Sequence, residues 1–125
     1  VEEVSAWAEE HVGVAPDRER RAVFGFSNGA AFAVAMGLRH PERFGHVPAF
    51  SLAWRFDSPN WPAHLAPRHY LVAGMLEEGF REGTARWANT LAGLGVTHIH
   101  RERMCGHDFM MWDKEFPGAV AWAFG

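Results

Sequence analysis

Gly25-Phe26-Ser27-Asn28-Gly29 constrains the fold of this chain more than any other stretch. It is a G-x-S-x-G pentapeptide set between an apolar run, Ala22-Val23-Phe24, and a small-residue, helix-compatible run, Ala30-Ala31-Phe32-Ala33-Val34-Ala35-Met36. A serine on so sharp a strand-to-helix turn has a strained backbone, and its neighbours must be small for the two elements to pass closely. The turn lifts the hydroxyl clear of the sheet and sets it near the positive end of the following helix. That is the setting of a nucleophile elbow. A serine hydroxyl is a poor nucleophile by itself, so a histidine and a carboxylate elsewhere in the chain would be needed to complete a Ser-His-acid catalytic triad and would make the signal strong.

Strand and helix signals alternate along the rest of the chain. Val4, Trp7, Ala8, His11 and Val12 recur at helical steps ahead of Gly13 and Pro16. Residues 21–26 read as a short apolar strand of the kind buried on both faces of a parallel sheet. Residues 28–38 read as a helix stopped at His40-Pro41, 47–54 as a second strand, and 55–67, with Pro59, Pro62 and Pro67, as an irregular loop. A third strand follows at 69–73, a helix at 84–94 closed by Gly95, and a fourth strand at 97–101. Residues 106–111 read as a loop and 112–124 as a last helix, with Pro117 near its first turn. This order predicts an α/β fold, a mainly parallel sheet in consecutive strand order with flanking helices, in a single domain over 1–125. The strand carrying Ser27 then forms one edge. An uncovered edge invites association, so a homo-oligomer or a missing N-terminal segment is expected to cover it.

In open parallel sheets, functional groups collect at the carboxyl ends of the strands. Ser27, the loop from Met75 and the loop from Gly106 all fall at such ends. His107, in Cys105-Gly106-His107-Asp108, comes after the serine, as the base of an elbow serine should. The other histidines suit the role less well. His40 stands at a helix end, His64 and His69 flank the proline-rich loop, and His98 and His100 alternate on one strand face without a third metal ligand. Neither a metal nor an organic cofactor is expected. For the acid, Glu77 and Glu78 follow the third strand and Asp57 follows the second, with Glu77 favoured; Asp108 is read as fixing the histidine loop.

The backbone N–H of Asn28 is the expected first oxyanion donor. The second normally comes from a loop after an earlier strand, where this chain reads as helix. Phe26, Trp54 and Trp61 are candidate lining for a substrate pocket, with ordinary packing as the competing reading. Trp112 is read as packing under the His107 loop.

Composition narrows the class. With 125 residues, 22% charged and 48% apolar, the chain fits one soluble globular domain. A net charge of −3 argues against a nucleic-acid partner, and Arg18, Arg20 and Arg21 are interleaved with Asp17 and Glu19. No apolar run approaches the roughly 20 residues of a membrane span. The single cysteine, Cys105, leaves no intrachain disulfide and leans towards a reducing, cytoplasmic compartment. The chain begins at Val1 rather than Met, as expected if it was processed or is the C-terminal part of something longer.

Three segments carry a family resemblance: Gly25-Phe26-Ser27-Asn28-Gly29-Ala30, Arg39-His40-Pro41-Glu42-Arg43-Phe44, and Gly106-His107-Asp108 with Trp112. Together they resemble the putative-esterase branch of the α/β-hydrolases, which includes enterochelin-type esterases, S-formylglutathione hydrolases and mycolyltransferases. The resemblance runs from Arg21 to the C-terminus and matches the family's second half. It implies Ser27 as nucleophile, His107 as general base and acid, and Glu77 of Gly74-Met75-Leu76-Glu77 in place of the aspartate of a G-x-x-D pattern. The activity implied is that of a serine esterase acting on small-molecule carboxylic esters through an acyl-enzyme. Two other readings stay open: a non-catalytic remnant that binds a ligand or partner, and an acyltransferase with the same triad.

Overall fold

Short apolar strands separated by helices satisfy their backbone groups by pairing in parallel, and they do so in the computed structural model, which describes residues 1–125. Strands β1 (Gly25–Phe26), β2 (His46–Phe50), β3 (Arg68–Gly74) and β4 (His98–Arg103) lie in that order, every neighbouring pair parallel. Helix α1 (Glu2–Val12) precedes the sheet and α2 (Asn28–Arg39) connects β1 to β2. Helix α3 (Phe80–Gly93) connects β3 to β4, and α4 (Phe109–Phe124) ends the chain. The β2–β3 crossover is the proline-rich loop, whose only regular piece is a 3-10 turn at Ala63–Leu65.

Alternation along β2 and β3 sends successive side chains to opposite faces. Val47, Ala49 and Leu71 pack with Ala30, Ala33 and Val34 of α2 and with Trp87, Ala88 and Leu91 of α3. Phe50, Tyr70 and Val72 face the other way, onto Met111, Trp112 and Ala119 of α4. Both central strands are therefore covered on both faces, as their near-continuous apolar runs require. At the β4 edge the side chains turn polar, and Arg81 of α3 grips Glu102 with two bonds of 3.0 and 2.9 Å.

Element boundaries depart from the sequence reading where side chains outside the apolar pattern decide them. Only Gly25 and Phe26 pair regularly in β1; ahead of them the chain touches β2 through one isolated bridge, Ala22 to His46. Helix α3 starts a turn earlier than its apolar period suggests, because Glu82 accepts the N–H of Gly79, a residue with φ 82°. Helix α4 also starts early, because the Asp108 carboxylate accepts the Met110 N–H at 2.7 Å. Pro117 consequently lies in the helix interior and not in the first turn. It withholds a donor from the Asp113 carbonyl on an exposed face, where water can replace it.

Helix α1 buries none of its residues. Its attachment is by ion pairs, Glu9 with Arg21 and Glu2 with Arg43, and Trp7 stays exposed. No helix is long and apolar enough to cross a membrane.

His69 shows how tightly the layer between the sheet and α3 is closed. It is fully buried, its ring lies against Trp61 and Trp87, and Nδ1–H donates to the Pro67 carbonyl at 2.9 Å. Burial pushes its pKa down from 6.5 to about 3. Below pH 6.5 the unfolded chain takes up a proton that the native ring refuses. Its contribution to stability is therefore whole above pH 6.5 and is lost as pH falls towards 3, at a slope approaching about 1.4 kcal/mol per pH unit. In urea titrations from pH 7 to pH 4, His69→Gln is expected to lose stability less steeply than the parent. Equal slopes would contradict the assignment.

Candidate active site

Strand β1 ends at Phe26 and α2 begins at Asn28, so Ser27 alone makes the turn, at φ 56° and ψ −125°. A residue with a Cβ is strained there by about 1–3 kcal/mol. Neighbouring bonds hold it in place. Ser27 N–H donates to the Phe50 carbonyl of β2 at 2.9 Å, and the Ser27 carbonyl accepts from Ala30 N–H at 3.0 Å. Gly25 permits the close passage, since a Cβ there would lie 1.9 Å from the Gly29 carbonyl oxygen. Gly29 behaves differently: a Cβ on it would meet nothing within 4 Å. The steric demand for small flanking residues therefore falls on the first glycine alone.

The turn points Ser27 Oγ at the loop after β4, where His107 Nε2 lies 2.9 Å away. On the far side of the imidazole, Nδ1 is 2.5 Å from Oε1 of Glu77, in the loop after β3. The second Glu77 oxygen accepts the Gly74 N–H at 2.5 Å and the Ser51 hydroxyl at 2.9 Å. A carboxylate so used presents an acceptor to the ring. Nδ1 therefore carries the hydrogen, and Nε2 of a neutral imidazole is left to accept from the serine hydroxyl. Burial falls off along this line: the Glu77 side chain is 0% exposed and that of His107 37%. The carboxylate sits in the protein interior while the imidazole reaches solvent.

Two aromatic rings fix the imidazole plane. Phe80, at the start of α3, stacks on His107 at 4.2 Å, and Trp112 meets it edge-on at 4.8 Å. Trp112 also stacks on Phe26 at 4.3 Å, and its Nε1–H donates to Ser51 Oγ at 2.8 Å. Trp112 thus lies beneath the histidine loop as its position suggested.

The remaining candidates separate cleanly. Glu78 and Asp57 are exposed, and the imidazole bonds only to Glu77 and Ser27. Asp108 caps α4. As the first residue of α2, Asn28 has a backbone N–H with no intrahelical acceptor, next to Ser27 and at the positive end of the helix. Ahead of β1 stand α1 and a 3-10 turn at Arg18–Arg20, and neither of these is a strand-borne loop.

Phe26 lines a groove of about 190 Å³ with Phe24, Phe109, Trp112, Asp113 and Phe116, between β1 and α4. Trp54 is exposed beyond the end of β2. Trp61 does not join them. The proline-rich loop runs back from the carboxyl end of β2 to the amino end of β3 and carries Trp61 with it. There it lines a separate hollow of about 250 Å³ with Arg68 and Thr97, at the opposite end of the sheet from Ser27. No group of three or more His, Cys, Asp or Glu side chains is arranged to hold a metal ion.

Sequence reasoning missed Ser51 and Phe80. Ser51 had one faint signal, a polar residue closing a fully apolar strand run. Phe80 had none, since an aromatic residue beside a glycine is common.

The family model described as "Putative esterase" matches residues 1–123, so α1 lies within the match as well as the segments from Arg21 onward. No curated protein matches the chain in sequence. Among solved structures, the chain superposes on an enterochelin esterase from Shigella flexneri with TM-score 0.82 at 20% identity, covering 98% of this chain and 35% of that one. An S-formylglutathione hydrolase from Staphylococcus aureus gives TM-score 0.77 at 14% identity, covering 98% and 61%. A ferulic acid esterase from Anaeromyces mucronatus gives 0.78 at 20% identity, covering 96% and 50%. The likeness is one of fold, and the chain spans between a third and three-fifths of the length of these proteins.

The unequal glycines give a direct test of the turn. Gly25→Ala, forced against the Gly29 carbonyl, is expected to cost about 3 kcal/mol or more in urea unfolding. Gly29→Ala is expected to stay within about 1 kcal/mol of the parent, helped by alanine's helix propensity. Comparable losses for both would show that the close approach is not localised at Gly25.

Proposed function

The chain belongs to the Putative esterase family, and on that footing we propose that it is a serine esterase acting on small-molecule carboxylic esters. Ser27 is the nucleophile, His107 the general base and then acid, and Glu77 the carboxylate that orients the ring and stabilises its charged form. One observation carries this reading. Ser27 Oγ, His107 and Glu77 form a continuous hydrogen-bonded line, 2.9 Å and then 2.5 Å, beginning at a serine on a strained strand-to-helix elbow.

In the proposed reaction Ser27 Oγ attacks the ester carbonyl while its proton passes to His107 Nε2. The oxyanion of the tetrahedral intermediate lies towards the Asn28 N–H and the start of α2, where the helix dipole favours negative charge. Collapse breaks the ester C–O bond, and Nε2 gives its proton to the departing alkoxide. Water then attacks the acyl-enzyme, losing a proton to Nε2, and Ser27 leaves as the proton returns to Oγ. Throughout, Glu77 holds Nδ1–H and balances the imidazolium from a buried position.

A full oxyanion hole uses two donors, and losing one costs about 3–4 kcal/mol of transition-state stabilisation. The second is proposed to come from polypeptide lying along the free side of β1, whether a preceding segment or a second copy of the chain. The unpaired edge of β1 and the aromatic groove between β1 and α4 support that placement. The lone, half-buried Cys105 suits a cytoplasmic location.

A fluorophosphonate probe is expected to label the folded protein once, at Ser27, and Ser27→Ala is expected to abolish labelling. With an activated ester, Glu77→Gln is expected to lower kcat by about 10³–10⁴-fold, through loss of the charge and tautomer control at His107. Folded protein that never reacts, alone or with added upstream polypeptide, would point instead to a ligand-binding remnant. Product analysis with added alcohols separates hydrolysis from acyl transfer to another hydroxyl.

A further inference from the structure

Beyond the three residues in line, Ser51 is a fully buried hydroxyl that the proposed reaction leaves unused. It sits one residue past the end of β2, the strand between the one that leads to Ser27 and the one that leads to Glu77. Its φ is 57°, so Ser27 and Ser51 are the only non-glycine residues with positive φ in the chain. Strain at a buried serine persists where its surroundings over-determine it. Here they do so through two bonds: Trp112 Nε1–H donates to Ser51 Oγ at 2.8 Å, and the Ser51 hydroxyl donates to Glu77 Oε2 at 2.9 Å.

The direction of both bonds is forced. An indole N–H can only donate and a carboxylate oxygen only accepts, so the hydroxyl hydrogen has a single place to go. We infer that Ser51, held by Trp112, is a positioning residue that locks the Glu77 carboxylate in the plane that meets His107. The inference rests on the esterase reading for its catalytic meaning.

The terminal torsion of a glutamate is broad and roughly two-fold, so one donor would leave the carboxylate free to swing. With the Gly74 N–H and the Ser51 hydroxyl both on Oε2, the plane is pinned and Oε1 is left for Nδ1 of the imidazole. Trp112 closes the loop, since the indole that fixes Ser51 also braces the His107 ring edge-on at 4.8 Å. One side chain of α4 therefore sets the acid and the base against each other. An alanine at position 51 would keep the Cβ, but would orphan the indole N–H and leave Oε2 with the Gly74 N–H as its single donor.

Two readouts test the inference in the full chain: the far-downfield Nδ1–H proton resonance of His107, and the rate of fluorophosphonate labelling at Ser27. Ser51→Ala is expected to shift the resonance upfield or lose it to exchange, with the other imidazole signals unchanged, and to slow labelling by about 10–100-fold. In a Glu77→Ala background, removing the Ser51 hydroxyl is expected to change the labelling rate by less than about two-fold, because the group it acts through is gone. A merely structural role would give additive losses. Ser51→Gly, which accepts the positive φ without strain, and Trp112→Phe, which keeps an aromatic ring and removes the N–H together with part of the indole, carry the same test should alanine unfold the chain. Retention of both resonance and rate in these variants, additive losses, or a parent protein lacking the resonance overturns the inference. A parent that shows the resonance, loses it in the variants, and yet never reacts with the probe, alone or with added upstream polypeptide, sinks the esterase reading while leaving Ser51 in its positioning role.

Discussion

One hydrogen bond, from Ser27 N–H to the Phe50 carbonyl, anchors a serine whose backbone would otherwise relax out of its strained conformation. The bond exists because β2 lies parallel to β1 in the register that sets Phe26 beside Phe50. The same strand end continues into Ser51, whose N–H is received by Val72 of β3 at 2.8 Å. The carboxyl end of β2 thus ties the turn at Ser27 to the loop that carries Glu77. If this register slipped by one residue, every inward side chain of β2 would change face and the two loops would lose their common support.

Layering on either side makes that register stable. The small residues of α2 let the helix approach Val47 and Ala49 closely, while α4 covers Phe50, Tyr70 and Val72. Trp112 belongs both to the apolar layer under α4 and to the polar line at the site. This double membership lets packing energy constrain hydrogen-bond geometry. Rigid supports of that kind suit a proposed mechanism in which the charge on the imidazole is met by a carboxylate already in place.

The β1 side of the molecule is organised differently. Its sheet edge is unpaired, its aromatic groove is shallow, and α1 is tethered by ion pairs without a buried residue. The Glu77 carboxylate is packed in the interior beside Ser51, whereas the open side adjoins Ser27, where the proposed substrate would be held. The matched proteins are longer than this chain, and the matches concern fold alone at the identities observed.

As candidates, Ser27 and His107 were legible in the chain, and Glu77 was legible as one of three carboxylates, because each announces itself locally. The serine lies in a glycine-framed turn between two elements, and the other two stand just past strand ends, where an open parallel sheet gathers its functional groups. Strand order was legible for a similar reason, since short apolar runs separated by crossovers leave few ways to pair. Ser51, Phe80 and the true place of Trp61 were not legible. Their roles depend on contacts across long sequence separations and on the path of a proline-rich loop that has no periodicity to read. By itself the sequence determined the alternation of elements and the residue types at the turn and strand ends, through local conformational preference and apolar spacing. Only the tertiary structure decided which carboxylate faces the imidazole, which hydroxyl pins it and which glycine is sterically required, because those are matters of distances between groups that the chain does not place side by side.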